Sequence, residues 1–393
     1  MSRAHGCVCS LIILSLAGSA AAQEPVSPED QKAIEEALGQ AKPPAPPPTG
    51  AAAVLQALNP ELALILGVAG AWFSTEDHLQ TGEHDPERTG FNLQQLEMSL
   101  SSTVDPYVRF AANLVFTEEG VDLEEAYGAT TALPGNLQLR HGRVLSRFGR
   151  INATHPHAWA FADQPFAIGR VFGGEGNLGL GLELSWLTPL PWYVEIVGAL
   201  SEATAPTFYG DADLEVDSPL DLQATLAIEQ FFPLSDDWSL LFGLSYASGP
   251  NPSSADARSA VYGLDLYLKY RPIGRASYTE ISLQTEWLLR RRHQPGDVLV
   301  DWNGYAQLGW RFARRFSAAA RWELGTPAAG DALDPDWTED RHRLAGVLAF
   351  QPSEFSRLRL QAGLDLPGWA DDPIASLFLT CELSVGAHGA HPF

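Results

Sequence analysis

Apolar and polar residues alternate along this chain in runs of ten or more positions, again and again. Val108, Phe110, Ala112, Leu114 and Phe116 alternate with Tyr107, Arg109, Ala111 and Asn113. Tyr262, Leu264, Leu266, Leu268 and Tyr270 alternate with Gly263, Asp265, Tyr267 and Lys269. The same holds from Trp302 to Phe312 and from Leu377 to Val385. A period of two puts the apolar side chains on one face of a sheet and the polar ones on the other. Strands of soluble sandwiches average five or six residues, whereas a tilted strand that crosses a bilayer needs about ten. The length of the runs therefore selects a transmembrane antiparallel β-barrel, an all-β fold.

About sixteen such segments fit, near 62–74, 91–103, 107–118, 121–132, 136–148, 177–188, 192–201, 220–232, 238–248, 259–271, 277–290, 298–312, 315–325, 341–351, 355–365 and 374–387. The connections after even-numbered segments are tight, such as Val104-Asp105-Pro106 and Pro352-Ser353. Those after odd-numbered segments are mostly long: 75–90, 149–176, 202–219, 249–258 and 326–340. Short turns on one side and long loops on the other is the outer-membrane arrangement, and an even count leaves both chain ends on the periplasmic side. Aromatic residues gather at strand ends (Trp186, Trp192 and Tyr193; Trp310, Phe312 and Phe316; Phe350 and Phe355), as interfacial girdles do.

The barrel is expected over 60–393. Residues 1–22 read as a signal peptide, with basic Arg3, apolar Leu11 to Leu16 and small Ala20-Ala21-Ala22 before Gln23. Residues 23–59 read as a short periplasmic helix opened by Ser27-Pro28-Glu29-Asp30, then a stiff Pro-rich linker at Pro43-Pro44 and Pro46-Pro47-Pro48. Cys7 and Cys9 leave with the signal peptide, so only Cys381 remains and no internal disulfide can form. With 25 Lys+Arg against 48 Asp+Glu the net charge is −23. That balance excludes a nucleic-acid partner, for want of a basic stripe to displace counterions from phosphates.

The stretch from Phe91 to Leu200 resembles Gram-negative outer-membrane barrels related to phosphate-selective-type porins. The matching pieces are Val104-Asp105-Pro106-Tyr107, Asp122-Leu123-Glu124-Glu125-Ala126-Tyr127, Gly149-Arg150-Ile151-Asn152, Thr154-His155-Pro156-His157-Ala158-Trp159, Asp163-Gln164-Pro165 and Leu184-Ser185-Trp186-Leu187. The resemblance covers about a third of the chain; the C-terminal half matches in pattern alone. Some relatives bear names implying TonB-dependent or zinc-related receptors. A TonB-dependent receptor needs a folded plug and about 22 strands, and the segment from Gln23 to about Pro60 is too short for a plug. Anion-selective porins have Lys-rich pores, whereas Lys269 is the only lysine after Lys42. Phe393 suits an outer-membrane assembly signal. The resemblance implies contact with outer-membrane lipid and lipopolysaccharide, handling by the barrel-assembly machinery, location in the cell outer membrane, and a homotrimer.

If the apolar faces meet lipid, the polar faces line a lumen. A ladder of Arg109, Arg140, Arg321 with Glu323 on the same strand, Arg343, Arg357 and Arg359, with Arg143 as an outlying member, then faces Glu97, Asp122, Glu124, Asp221, Glu229, Glu280 and Glu286. Such rings set selectivity in pores, and equally brace a wall by pairing. The longest connection, 149–176, carries Arg147 and Arg150 at its start, then His155, His157, Asp163, Arg170 and Glu175. Its Ile151, Trp159, Phe161, Phe166, Ile168 and Phe172 are too apolar for a loop left in water. It is expected to fold against the inner wall as a pore constriction, where the porin resemblance also places a narrowing third loop. Arg147, Arg150 and Arg170 are expected beside Asp163 and Glu175, with Arg341 outside the throat.

Other motifs carry less. Gly174-Glu175-Gly176-Asn177-Leu178-Gly179 fits a dinucleotide fingerprint, but a strand follows it, not a helix. His155 and His157 flank a proline and could hold zinc with Asp163, but no helical spacing or Cys partner supports a metal site. Glu76, Asp77, His78, Glu83, His84 and Asp85 read as a solvated loop tip. No nucleophile set is placed, so no enzyme and no cofactor are expected. Two functions remain: a channel for passive diffusion of small hydrophilic solutes or ions, or a plugged receptor or structural barrel that binds an external ligand through its long loops.

Overall fold

The computed structural model describes residues 60–118, 120–209 and 216–386. The signal peptide, the leader helix with its linker, and Phe393 all lie outside the described residues. Sixteen strands form a closed antiparallel barrel: β1 (Glu61–Phe73), β2 (Gly90–Asp105), β3 (Val108–Phe116), β4 (Val121–Thr130), β5 (Leu137–Leu145), β6 (Leu178–Leu187), β7 (Tyr193–Ser201) and β8 (Gln223–Pro233) make the first half. The second half is β9 (Trp238–Pro250), β10 (Arg258–Tyr270), β11 (Glu280–Gln294), β12 (Asp297–Ala313), β13 (Phe316–Gly325), β14 (Arg341–Ser353), β15 (Ser356–Pro367) and β16 (Ile374–Gly386). Each strand pairs with its sequence neighbours, and β1 closes on β16 from Ala63↔Gly386 to Phe73↔Ser376. All sixteen expected segments are present, with ends shifted by a few residues. Two odd-numbered connections are shorter than their parity suggests, 117–120 between β3 and β4 and the turn after β11. β11 and β12 are joined through Pro295-Gly296, where Gly296 takes φ 83°, a left-handed conformation open to glycine.

The two faces separate as alternation requires. Leu180, Leu182, Leu184 and Trp186 on β6, Leu358, Leu360 and Leu364 on β15, and Leu377, Leu379 and Leu383 on β16 point outward and are exposed. A band of this kind belongs against hydrocarbon. Along the short-turn rim Trp310, Phe312, Phe316 and Phe350 follow one another with ring centroids 5.3, 6.2 and 4.8 Å apart.

The connection between β5 and β6 runs from 146 to 177 and holds a short helix, α1 (Phe166–Phe172). All seven helix residues are buried. Ile168, Val171 and Phe172 pack with Phe148 and Ile151 of the same connection against Phe208, Val261, Leu288 and Tyr305. Phe161 packs on Ala345 and Val347, and Ala162 on Phe73 and Phe378. The barrel thus has an apolar core inside its wall, built mainly from this connection with Ala203, Ala205 and Phe208 of the β7–β8 connection.

The wall is thinnest between β4 and β5, which pair over four positions, Ala126↔Arg143 to Ala129↔Arg140. Beside this seam the β3–β4 register shifts, so that Asn113 faces Glu125 and Leu114 faces Leu123. Glu124 is the extra residue of a β-bulge, which breaks the alternation and lets consecutive glutamates both be buried.

Candidate functional site

The 146–177 connection presents its charged groups to the wall. Arg147 donates from Nε to Glu183 Oε1 at 2.9 Å and from Nη1 to Glu195 Oε1 at 2.7 Å; Arg140 also reaches Glu183, at 2.8 Å. Arg150 lays its guanidinium over the Tyr267 ring, 3.9 Å from the centroid. The backbone N–H groups of Arg150 and Ile151 donate to Glu286 at 3.1 and 2.9 Å, and the Tyr305 hydroxyl donates to the same carboxylate.

Farther along, Asp163 is fully buried between Arg321, whose Nη2 is 2.6 Å from Oδ1, and Arg343. Burial opposes ionisation of Asp163, but the Arg343 and Arg321 guanidiniums outweigh it and hold the carboxyl below its ordinary range. Arg357 donates to the His157 and Trp159 carbonyls at 2.7 and 2.9 Å, and Arg359 to the Phe161 carbonyl at 2.7 Å. The Ala162 N–H donates to Gln361 at 2.7 Å and the Phe166 N–H to Glu323 at 2.6 Å. Arg170 donates to Asp334 and Asn303, each at 3.0 Å, and stacks on Trp337. Arg290 bonds Asp301 and Asp331 at 2.7 and 2.8 Å in the same layer.

At the β4–β5 seam three imidazoles meet three carboxylates. His155 Nδ1 lies 3.2 Å from Glu124 and its Nε2 3.1 Å from Glu125. His84 Nε2 lies 2.7 Å from the other Glu124 oxygen, and His157 Nδ1 2.8 Å from Glu97. The His155 and His157 rings stack, 5.7 Å apart and within 1° of parallel. Burial works against the protonated form of His155, but the bonds to Glu124 and Glu125 prevail and raise its pKa well above the ordinary 6.5. His84 is raised too, by its bond to Glu124 against burial. Nearby, burial and the Asp163 charge push Asp85 up to about 7.

Several expectations need correction. Arg147, Arg150 and Arg170 do not gather around Asp163 and Glu175, because the helix and the turns before it send each to a different strand pair. Glu175 pairs with Arg143 at 3.4 Å. Asp163 sits among arginines and not beside His155 and His157, so it completes no zinc site. Arg341 is buried, not peripheral: it bonds Asp365 at 2.8 Å, reaches the Leu79 carbonyl and stacks over Phe166. His84 and Asp85 are buried against the long connection and not solvated, since Gln164 N–H donates to Asp85 at 2.8 Å. Asp122 is exposed at the loop-side end of β4 and stays out of the buried ladder, while Asp221 caps a turn through Ser218. Arg109 is an exposed member, 3.6 Å from Glu61. Glu125, Glu183, Glu195, Arg290, Asp301, Asp331 and Asp365 were missed. Glu183 was within reach, being in phase between outward Leu182 and Leu184.

Below the loop, on the short-turn side, the lumen holds polar space. A cavity of about 300 Å³ is lined by Arg150, Tyr267, Gln284, Gln307, Arg311 and Arg357, with Trp159 and Phe161 above. A second, of about 390 Å³, is lined by Ser101, Arg109, Tyr127, Gln138, Arg140 and Arg147.

A protein of Aquifex aeolicus (strain VF5), described as uncharacterized, is 33% identical over 337 residues, spanning 78% of this chain and 71% of that one. The chain belongs to that protein's family. No protein-family model matches it. Solved structures similar to it include OprB of Pseudomonas putida, with a TM-score of 0.56 at 11% identity over 83% of this chain and 94% of that one. The outer membrane channel DcaP of Acinetobacter baumannii gives 0.55 at 10% over 83% and 97%. An anion-selective porin from Comamonas acidovorans gives 0.55 at 10% over 83% and 99%. At such identity the likeness shows the fold, that of outer-membrane porin barrels. The protein is an outer-membrane β-barrel.

Proposed function

We propose that the protein is an outer-membrane channel for passive diffusion of small hydrophilic solutes or ions, narrowed by the 146–177 connection. The observation that carries this reading is the polar space beneath that loop, walled by Arg, Gln and Ser side chains of the strands. An interior lined this way accepts hydrated solutes and supplies fixed charges where the path is narrow, with no chemical step. The solved relatives described as channels and porins support it, as does the resemblance to phosphate-selective-type porins. In the same reading residues 1–22 direct export, the leader lies in the periplasm, and the barrel-assembly machinery inserts the chain among lipid and lipopolysaccharide. Three copies then associate, as in the trimer form described for Vibrio cholerae OmpT.

Planar-bilayer recording tests the proposal, with discrete ohmic steps expected. Replacing Arg147 and Arg150 by Glu should move reversal potentials toward cation preference, more at low salt, where screening is weak. At Arg147 the change would bring a third carboxylate against Glu183 and Glu195. A second reading, a barrel with a blocked lumen that binds an external ligand, is favoured by the apolar core inside the wall. Silence across repeated preparations would establish the second reading over the first.

A further inference from the structure

We propose that the histidine–glutamate cluster at the β4–β5 seam is a pH-controlled latch, holding the 146–177 connection on the wall while His155 is protonated and releasing it as pH rises. Its effect on conductance rests on the channel reading; the movement of the loop does not.

The seam supplies the geometry. β4 and β5 part company beyond Ala126↔Arg143, and the Leu145 N–H, which has no strand partner there, donates to Glu125 Oε1 at 3.0 Å. A side chain replaces the backbone ladder, and His155 ties that side chain to the loop. The groups facing His155 come from every element around it. β2 gives Glu97, 3.9 Å from Nδ1; β3 gives Asn113, whose amide lies 3.0 Å from Nε2; β4 gives Glu124 and Glu125. The 74–89 loop gives His84 and Glu83, β5 gives Arg140 and Arg143, and the connection itself gives His157 and Glu175.

While His155 carries a proton it donates to two glutamates at once and offsets their charge. Once it is neutral, one of its nitrogens must meet a carboxylate with no hydrogen between them, and Glu97, Glu124 and Glu125 lose the imidazolium that lies within 4 Å of all three. Buried carboxylates that lose their counter-charge are strongly unfavourable. A histidine raised by its partners stabilises docking below its ordinary pKa and loses that contribution as pH climbs through the raised value. The latch therefore holds at neutral pH and opens in alkali. The Asp163 layer, farther along the loop, carries no imidazole and keeps its charges there, and Glu286 and Arg357 hold the backbone on either side, so movement starts at 152–156.

A spin label at Ala153→Cys, in a Cys381→Ser background, reads the movement directly. Ala153 is half-buried, two residues before His155 on the segment the cluster holds. Its spectrum should sharpen from immobile to mobile as pH rises above the ordinary histidine range. Glu125→Gln should move the midpoint down by at least about one pH unit, because His155 loses one of the two charged carboxylates it bonds. His155→Gln should leave the label mobile at every pH. Label mobility that is flat from about pH 6 to about pH 10 overturns the latch, whatever the conductance does. A mobile label in a silent barrel keeps the latch and removes the channel.

Discussion

Removing the Asp163 carboxylate gives the most direct measure of how the long connection is held. Asp163→Ala leaves the Arg321 and Arg343 guanidiniums, each about 1% exposed, without their shared partner. Breaking a buried pair by deleting one member costs about 3–5 kcal/mol, because the remaining charge stays desolvated. Here part of the loss is recovered. Arg321 Nε keeps Glu323 at 2.8 Å, and Arg343 Nε keeps Asp365 at 3.5 Å. The low end, about 3 kcal/mol, is therefore expected, which raises the open population of the loop roughly a hundredfold. Amide exchange of the 161–166 segment reads that population, since the Ala162, Gln164 and Phe166 N–H groups donate to Gln361, Asp85 and Glu323. Their exchange should speed up about a hundredfold, while Asp122→Asn, at an exposed rim carboxylate, should change it by no more than about twofold. An Asp163→Ala loop that exchanges within about threefold of the parent would refute the claim that this carboxylate anchors it.

Three other outcomes follow from the same structure. Leu266→Arg, on the outward face of β10, should cost roughly 2–4 kcal/mol in folding into vesicles, whereas its neighbour Asp265→Asn should assemble almost normally; equal assembly would contradict the lipid-facing assignment. An epitope at Ala255, between β9 and β10, should be reached on intact cells and one at Asp236, between β8 and β9, should not; equal labelling would invert or abolish the topology. Asp85 is raised to about 7, so its contribution to docking is present below the ordinary carboxyl range and is lost as pH rises toward that value. Exchange protection of Gln164, corrected for intrinsic rates, should fall between about pH 4 and about pH 7 in the parent and stay level in Asp85→Asn. A fall of the same size in both would remove Asp85 as its cause.

The strands were legible because side-chain direction in a strand depends on parity alone, and a wall wet on one face and lipid-covered on the other imposes that parity on composition. The burial of Ile151, Phe161, Phe166, Ile168 and Phe172 on the long connection accords with its apolar content. Its helix was not legible. Phe166–Phe172 is buried on all sides, so it has no polar stripe to reveal a period of 3.6, and seven residues are too few to show one. Partners across the lumen were equally hidden, since parity gives a side and a strand but no depth. Arg341, at the start of β14, reads as a rim residue until Phe166 and Trp337 are seen over it. Glu125 escaped for a sharper reason: Glu124 had been read as the inward residue, and a bulge there breaks the alternation that would have turned its neighbour outward.

The bonds that seat the long connection span great distances in sequence. Phe166 reaches Glu323 across 157 residues, Ala162 reaches Gln361 across 199, and His157 receives Arg357 across 200. Closing loops of that size costs conformational entropy before any contact returns it. None of these bonds can form until β13 and β15 have joined the sheet. The seating of the connection therefore depends on strands far along the chain. A chain truncated before β13 keeps the fifth and sixth strands intact and still leaves Phe161, Asp163 and Phe166 with nowhere to go.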